Sequence, residues 1–159
     1  MNEVSQITHL LRQEEGVRYN AYFDSLAWPT IGVGFRLGPQ GTPLKYYDFT
    51  LDDQTIDAWL QANIEAIQND MLRCSPVALA LSHCNQVRKD ILTSMAYQMG
   101  CHGLNGFNNM LSAIADEDWE SAAEHMLNSR WAKQTSQRAL RHASVMKSGQ
   151  WEPVYPFDI

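Results

Sequence analysis

Most apolar residues of this chain recur at helical spacing, and the exceptions cluster near its start. Ile7, Leu10 and Leu11 form one stripe behind a candidate N-cap, Ser5, which predicts a helix over residues 4–15 stopped by Gly16. Residues 18–24 alternate loosely around Tyr19, Tyr22 and Phe23 and read as a strand, with a turn at 25–27. A second strand is expected over 28–35. Its glycines, Gly32 and Gly34, mark either a bulged edge or the close approach of a ligand. Residues 38–43 are a loop, and Tyr46–Tyr47 add a short strand or a turn.

Helical spacing then takes over. Ile56, Leu60, Ile64, Ile67 and Met71 predict a long helix to about residue 73, capped by Thr50, with Asp52 and Asp53 in its first turn. At 1.5 Å per residue it is roughly 30 Å long, enough for a strut between two lobes. Ser75 and Pro76 open a shorter helix as N-cap and first residue. Asn85 caps another that runs through Val87, Ile91, Leu92, Met95 and Met99 until residues 100–103 break it. Two short segments between Phe107 and Trp119, a helix over 119–131 and a last one from Ser136 to Met146 follow. The tail after Gly149 should pack through its aromatics. Strands early and helices late make an α+β fold.

Composition narrows the class. With 159 residues, 45% of them apolar and 19% charged, the chain suits one compact domain that needs no staples. No apolar run nears the ~20 residues of a membrane span, so membrane insertion is not expected. The first residues lack a basic start and a small-residue cleavage site, which predicts synthesis in a cytoplasm, with action elsewhere only after release. Cys74, Cys84 and Cys101 read as small core residues of a reduced protein. The neighbouring His83 and His102 supply no zinc spacing, so no metal is expected. The net charge of −6 comes from residues 1–72, with ten acids and four bases; the remainder balances eight against eight. The acid-free run Arg130, Lys133, Arg138, Arg141 and Lys147 can attract an anionic polymer, but it is too poor in aromatics to argue for nucleic acid.

Two acids stand out. Glu15 extends the stripe of Ile7 and Leu11 and sits at the negative end of its helix dipole, which favours the protonated carboxyl a general acid needs. Glu14 points about 100° away and is expected in solvent. Asp24 follows nine residues later, after a strand and beside a turn, and Thr30 six after that. Two carboxylates flanking a sugar linkage can hydrolyse it.

The ordered set Glu15–Gly16, Tyr22–Phe23–Asp24 and Pro29–Thr30–Ile31–Gly32–Val33–Gly34 resembles the phage-type lysozymes of glycoside hydrolase family 24, close to those of the T-even phages. Tyr97–Gln98–Met99–Gly100, Gly103, Gly106–Phe107, Ser129–Arg130–Trp131, Gln134–Thr135 and Arg138–Ala139 extend the likeness over nearly the whole chain. The resemblance implies one lysozyme domain, 1–159: a small β-hairpin lobe (16–50), a connecting helix (51–73) and a larger helical lobe (74–159 with helix 4–15). It implies a cofactor-free, monomeric muramidase acting on bacterial peptidoglycan, delivered as an endolysin is. Glu15 would be the general acid, Asp24 the base that activates water for inversion, and Thr30 an aid in placing that water. Tyr97, Gln98 and Gly34 would line the saccharide groove, and Arg138 would pair with Glu15. A lytic transglycosylase cutting the same bond and a non-catalytic wall-binding module are the alternatives. The chain departs from close relatives at Phe35, where they carry histidine, at Arg36, Met110 and His125 in presumed saccharide positions, in a shortened 36–49 segment, and in being acidic.

Overall fold

A computed structural model describes residues 4–157. It is mixed, with one three-stranded antiparallel sheet and, among the described residues, eight α-helices and a short 3-10 helix. By contact density the chain divides in two. One unit is Thr8–Asn63; the other takes the chain up to Ile7 and everything from Ile64 on. No helix among the described residues is long and apolar enough to cross a membrane.

In the first unit, helix α1 (Ile7–Glu15) starts later than its apolar pattern suggests, because Ser5 Oγ accepts the Ile7 N–H at 3.3 Å and so ends the extended lead-in. Gly16, at φ 77, closes α1 by donating its N–H to Arg12 O at 3.1 Å. Strands β1 (Arg18–Phe23), β2 (Pro29–Gly32) and β3 (Phe35–Arg36) pair in that order. The single strand expected over 28–35 is therefore two. Gly32 and Gly34, at φ 65 and 70, reverse the chain around Val33. A Cβ on Gly32 would strike the Phe35 ring, so the first glycine is required twice, by its dihedral and by its neighbour.

The pairings Arg18↔Gly32 and Tyr22↔Thr30 leave two extra residues on β1. That bulge turns β1 outward to a second partner. Asn20 bridges Thr50, Asn20 Nδ2 donates to Thr50 Oγ1 at 3.0 Å, and Leu51 N donates to Tyr19 O at 2.9 Å. Thr50 is thus held extended and cannot cap the long helix. Asp52 caps it instead, its Oδ1 accepting the Thr55 N–H at 2.8 Å, and α2 runs Asp53–Arg73. Leu44–Tyr47 form the 3-10 turn where a strand or turn was expected. The core here is Leu10, Leu11, Ile31, Phe35, Ile56 and Leu60, with Phe35 stacked on Trp59 at 4.6 Å. Arg12 ties α1 to Asp53 and Asp57 at 3.0 and 2.8 Å.

The second unit is helical. Helices α3 (Ser75–Ser82) and α4 (Gln86–Asn105) open as expected within a residue, the latter on Asn85 Oδ1, which accepts Arg88 N–H at 3.0 Å. Gly100, at φ 79 and ψ 161, breaks the helical backbone where a break was expected, so that α4 is two helices joined across a kink. Helices α5 (Asn108–Ala115), α6 (Trp119–Leu127), α7 (Arg130–Gln134) and α8 (Ser136–Ser148) follow. The run expected over 119–131 is interrupted because Ser129 Oγ caps a new helix, accepting Ala132 N–H at 3.1 Å. The tail packs as anticipated, Trp151, Tyr155 and Phe157 meeting at 5.1–5.7 Å. Of the cysteines only Cys84 is a core residue, its thiol pushed up to about 11 by burial; Cys74 and Cys101 are half-buried.

Candidate active site

Glu15, Asp24, Thr30 and Gly34 all belong to the Thr8–Asn63 unit. Glu15 is the last residue of α1 and half-buried; Glu14 is half-buried too, not the solvated neighbour the helix wheel suggested. A Cβ built on Gly34 would stand 3.5 Å from Glu15 Oε2, so the β2–β3 turn passes directly beside that carboxylate.

Asp24 ends β1 and organises the turn after it. Its Oδ1 accepts the N–H groups of Leu26 and Trp28, both at 2.9 Å, and its own N–H donates to Trp28 O at 3.0 Å. Among the described residues no hydrogen bond reaches Oδ2. One oxygen is therefore anchored and the other left for solvent or substrate. Thr30 is buried, 3% exposed, and its hydroxyl donates to Trp28 O at 2.7 Å. Its proton is committed, so what Thr30 can offer a water is a lone pair.

The sheet register gives Thr30 two neighbours on its own face. Tyr22 lies opposite Thr30, and Thr30 opposite Arg36, so the three share a side of the sheet. Ile31 and Phe35 pair on the opposite side, toward the core. Tyr22 reports on both acids. Burial raises its phenol above the ordinary value, Arg18 opposes that, and the charges of Glu15 and Asp24 each raise it further. Both carboxylates thus lie within Coulombic reach of one phenol.

Tyr97, Gln98 and Arg138 belong to the helical unit. Tyr97 is half-buried on α4. Gln98 lines a pocket of about 570 Å³ with Met99, Gly103, Arg130, Trp131 and Gln134. Trp131 Nε1 donates to Gln98 Oε1 at 2.8 Å; an indole N–H can only donate, so the amide is oriented with its NH₂ as the remaining donor. A neighbouring pocket of about 480 Å³, sharing Gly103, Arg130 and Trp131, is lined by Met110 and His125, so these two departures sit together. Arg138 is buried on α8, its Nη2 donating to Ser94 O and Ser94 Oγ at 3.2 and 2.9 Å. Ser94 Oγ is also 2.8 Å from His142 Nε2, and His142 Nδ1 is 3.0 Å from Tyr155 OH.

Sequence reading did not single out Trp28, Ser94 or His142. Trp28 reaches Asp24 and Thr30 through its backbone, and no side-chain motif encodes such bonds. Ser94 and His142 sit at apolar-looking positions of α4 and α8, where a polar residue on a buried face was the available signal.

A mostly helical α+β fold, with one carboxylate at the end of α1 and another just past β1, is compatible with a glycosidase. The family model described as phage lysozyme matches residues 12–144, and this chain belongs to that family. It is 28% identical to the pre-baseplate central spike protein Gp5 of Enterobacteria phage T4, over 95% of this chain but only 29% of the spike protein's length. It is also 23% and 24% identical to the probable T4-type lysozymes 1 and 2 of Dictyostelium discoideum, over 92% of this chain and 96% of each relative.

Proposed function

We propose that this chain is a lysozyme that hydrolyses the β-1,4 bond between N-acetylmuramic acid and N-acetylglucosamine in bacterial peptidoglycan. The observation that carries this reading is the asymmetry of Asp24, which, among the described residues, holds two N–H groups on Oδ1 and none on Oδ2. A carboxylate so fixed can orient and deprotonate a water through its open oxygen, while Glu15, beside Gly34, protonates the leaving oxygen. Water attack on the face opposite the leaving group inverts the anomeric carbon. Thr30 accepts a hydrogen bond from the same water. Family membership supports the reaction class, and the Gln98 amide, aimed by Trp131, is suited to a saccharide hydroxyl. The chain acts as a monomer without cofactor and reaches the wall by release, as an endolysin does.

The test is mass spectrometry of purified wall digested by the native chain. Hydrated muramic acid ends are expected. Anhydro ends would instead make it a transglycosylase, and an undigested wall to which the chain binds would leave a recognition module.

A further inference from the structure

Three of the five hydrogen bonds that fix Asp24 and the Thr30 hydroxyl run through one residue. Trp28 N–H donates to Asp24 Oδ1, and Trp28 O accepts from Asp24 N–H and from Thr30 Oγ1; the other two are the Leu26 N–H to Asp24 Oδ1 and the Ala27 N–H to Asp24 O at 3.0 Å. The position of the Trp28 backbone, through the peptide groups on either side of its Cα, therefore sets the position of both groups. The turn leading into it is not relaxed. Ala27 sits at φ 63, a left-handed conformation that a non-glycine residue keeps only where its surroundings impose it.

Three contacts bracket that turn. From one side the loop after β3 folds back, Gly41 N donating to Ala27 O at 2.8 Å and Gln40 Nε2 to Leu26 O at 2.6 Å. From the other, the Arg36 guanidinium lies over the Trp28 ring, 4.3 Å from its centroid. Arg36 is anchored for this by its own strand, opposite Thr30, with Leu37 N donating to Pro29 O at 2.8 Å. A cation over an indole face is the most favourable such pairing.

We infer that Trp28 is a positioning residue for Asp24 and Thr30, and that Arg36 acts by clamping its ring. Arg36 then works through Trp28, not by touching the saccharide as its place in the sequence suggested. This rests on the lysozyme reading for its kinetic consequences, but the clamp itself has a readout independent of turnover.

The experiment compares the native chain with Arg36→Met, Arg36→Lys, Trp28→Phe and Trp28→Ala, each first checked for a native melting profile. On soluble wall fragments, Trp28→Ala should lower kcat roughly 30- to 100-fold with KM unchanged, the scale of a small misplacement of a reacting group. Trp28→Phe should retain most of kcat. Arg36→Met should cost about two- to fivefold in kcat, the size of one exposed cation–π contact, and Arg36→Lys should recover part of it. In parallel, hydrogen exchange at the Leu26 and Trp28 amides should quicken in Arg36→Met while amides within α2 stay unchanged. A raised KM with unchanged kcat in Arg36→Met would make Arg36 a substrate contact and overturn the inference. Unchanged exchange at those two amides would overturn it as well, even in a chain that never cleaves wall. A native chain with no turnover, but with the quickened exchange, would sink the lysozyme reading and leave the clamp standing.

Discussion

Asp24 in the β-containing unit and Ser94 in the helical unit each gather several hydrogen bonds, and they differ in what they leave over. Ser94 spends its hydroxyl wholly on protein: Arg138 donates to it, and His142, tied in turn to Tyr155, takes its other side. Ser94 and His142 are fully buried and Arg138 nearly so. Asp24 is half-buried and holds two N–H groups on one oxygen, with no hydrogen bond on the other among the described residues. A buried cluster whose hydroxyl and imidazole are bonded to protein stabilises and orients; a carboxylate anchored through one oxygen can keep the other for a further partner. The molecule separates the two tasks, and substitutions should separate in the same way.

The largest stability effect should come from the buried cluster. Ser94→Ala removes one partner each from Arg138 and His142 inside the helical unit and should cost about 3 kcal/mol, read as a lowered midpoint in urea unfolding. If the cluster only orients side chains without stabilising, that midpoint will barely move. Next is Gly32→Ala. It combines a left-handed dihedral with a clash on the Phe35 ring and should cost about 2 kcal/mol. Phe35→Leu in the same chain should relieve the steric part and leave the dihedral part. A stable Gly32→Ala would mean that the β2–β3 turn is free to rearrange.

The smallest effect belongs to the cap of α2, and it carries a pH signature. The Asp52 carboxyl is held below its usual value, first by a side-chain hydrogen bond with Thr55 and then by the Thr55 backbone N–H. A folded-state value below the unfolded one contributes stability above the unfolded value and loses it as pH falls through the folded one. Asp52→Ala should therefore lower the melting temperature near neutral pH, and the gap from the native chain should close well below pH ~4. A gap independent of pH would assign the loss to packing.

How much of this was legible in the sequence depended on whether a feature is written in side chains or in the backbone. The stripes of α1 and α2, the Asn85 cap and the aromatic tail are side-chain patterns and could be read directly. The strand expected over 28–35 looked continuous because hydrophobicity does not show a reversal. Only two glycines did, and they also suit a bulge or a ligand contact. Thr50 looked like a cap because it precedes an acidic first turn; the β1 bulge, a long-range pairing with Asn20, took it away and left the task to Asp52. Cys74 and Cys101 looked like core residues by composition, yet they fall at a helix junction and beyond a kink, where burial is partial. Glu15, Asp24 and Thr30 were legible as residue types in order. That Trp28 holds two of them was not, since its backbone N–H and C=O, not its indole, make the bonds.

The central claim is that Glu15 and Asp24 are a working pair with separate tasks. The most direct measurement is clearing of a cell-wall suspension by the native chain, Glu15→Gln and Asp24→Asn side by side, at equal folded concentration confirmed by melting. Each substitution keeps the shape and removes the charge or the acidic proton. The account expects each to lower the clearing rate by about two to four orders of magnitude, within the span attributed to general acid–base catalysis, with the melting temperature almost unchanged. Clearing at near-native rate by either well-folded variant would contradict it.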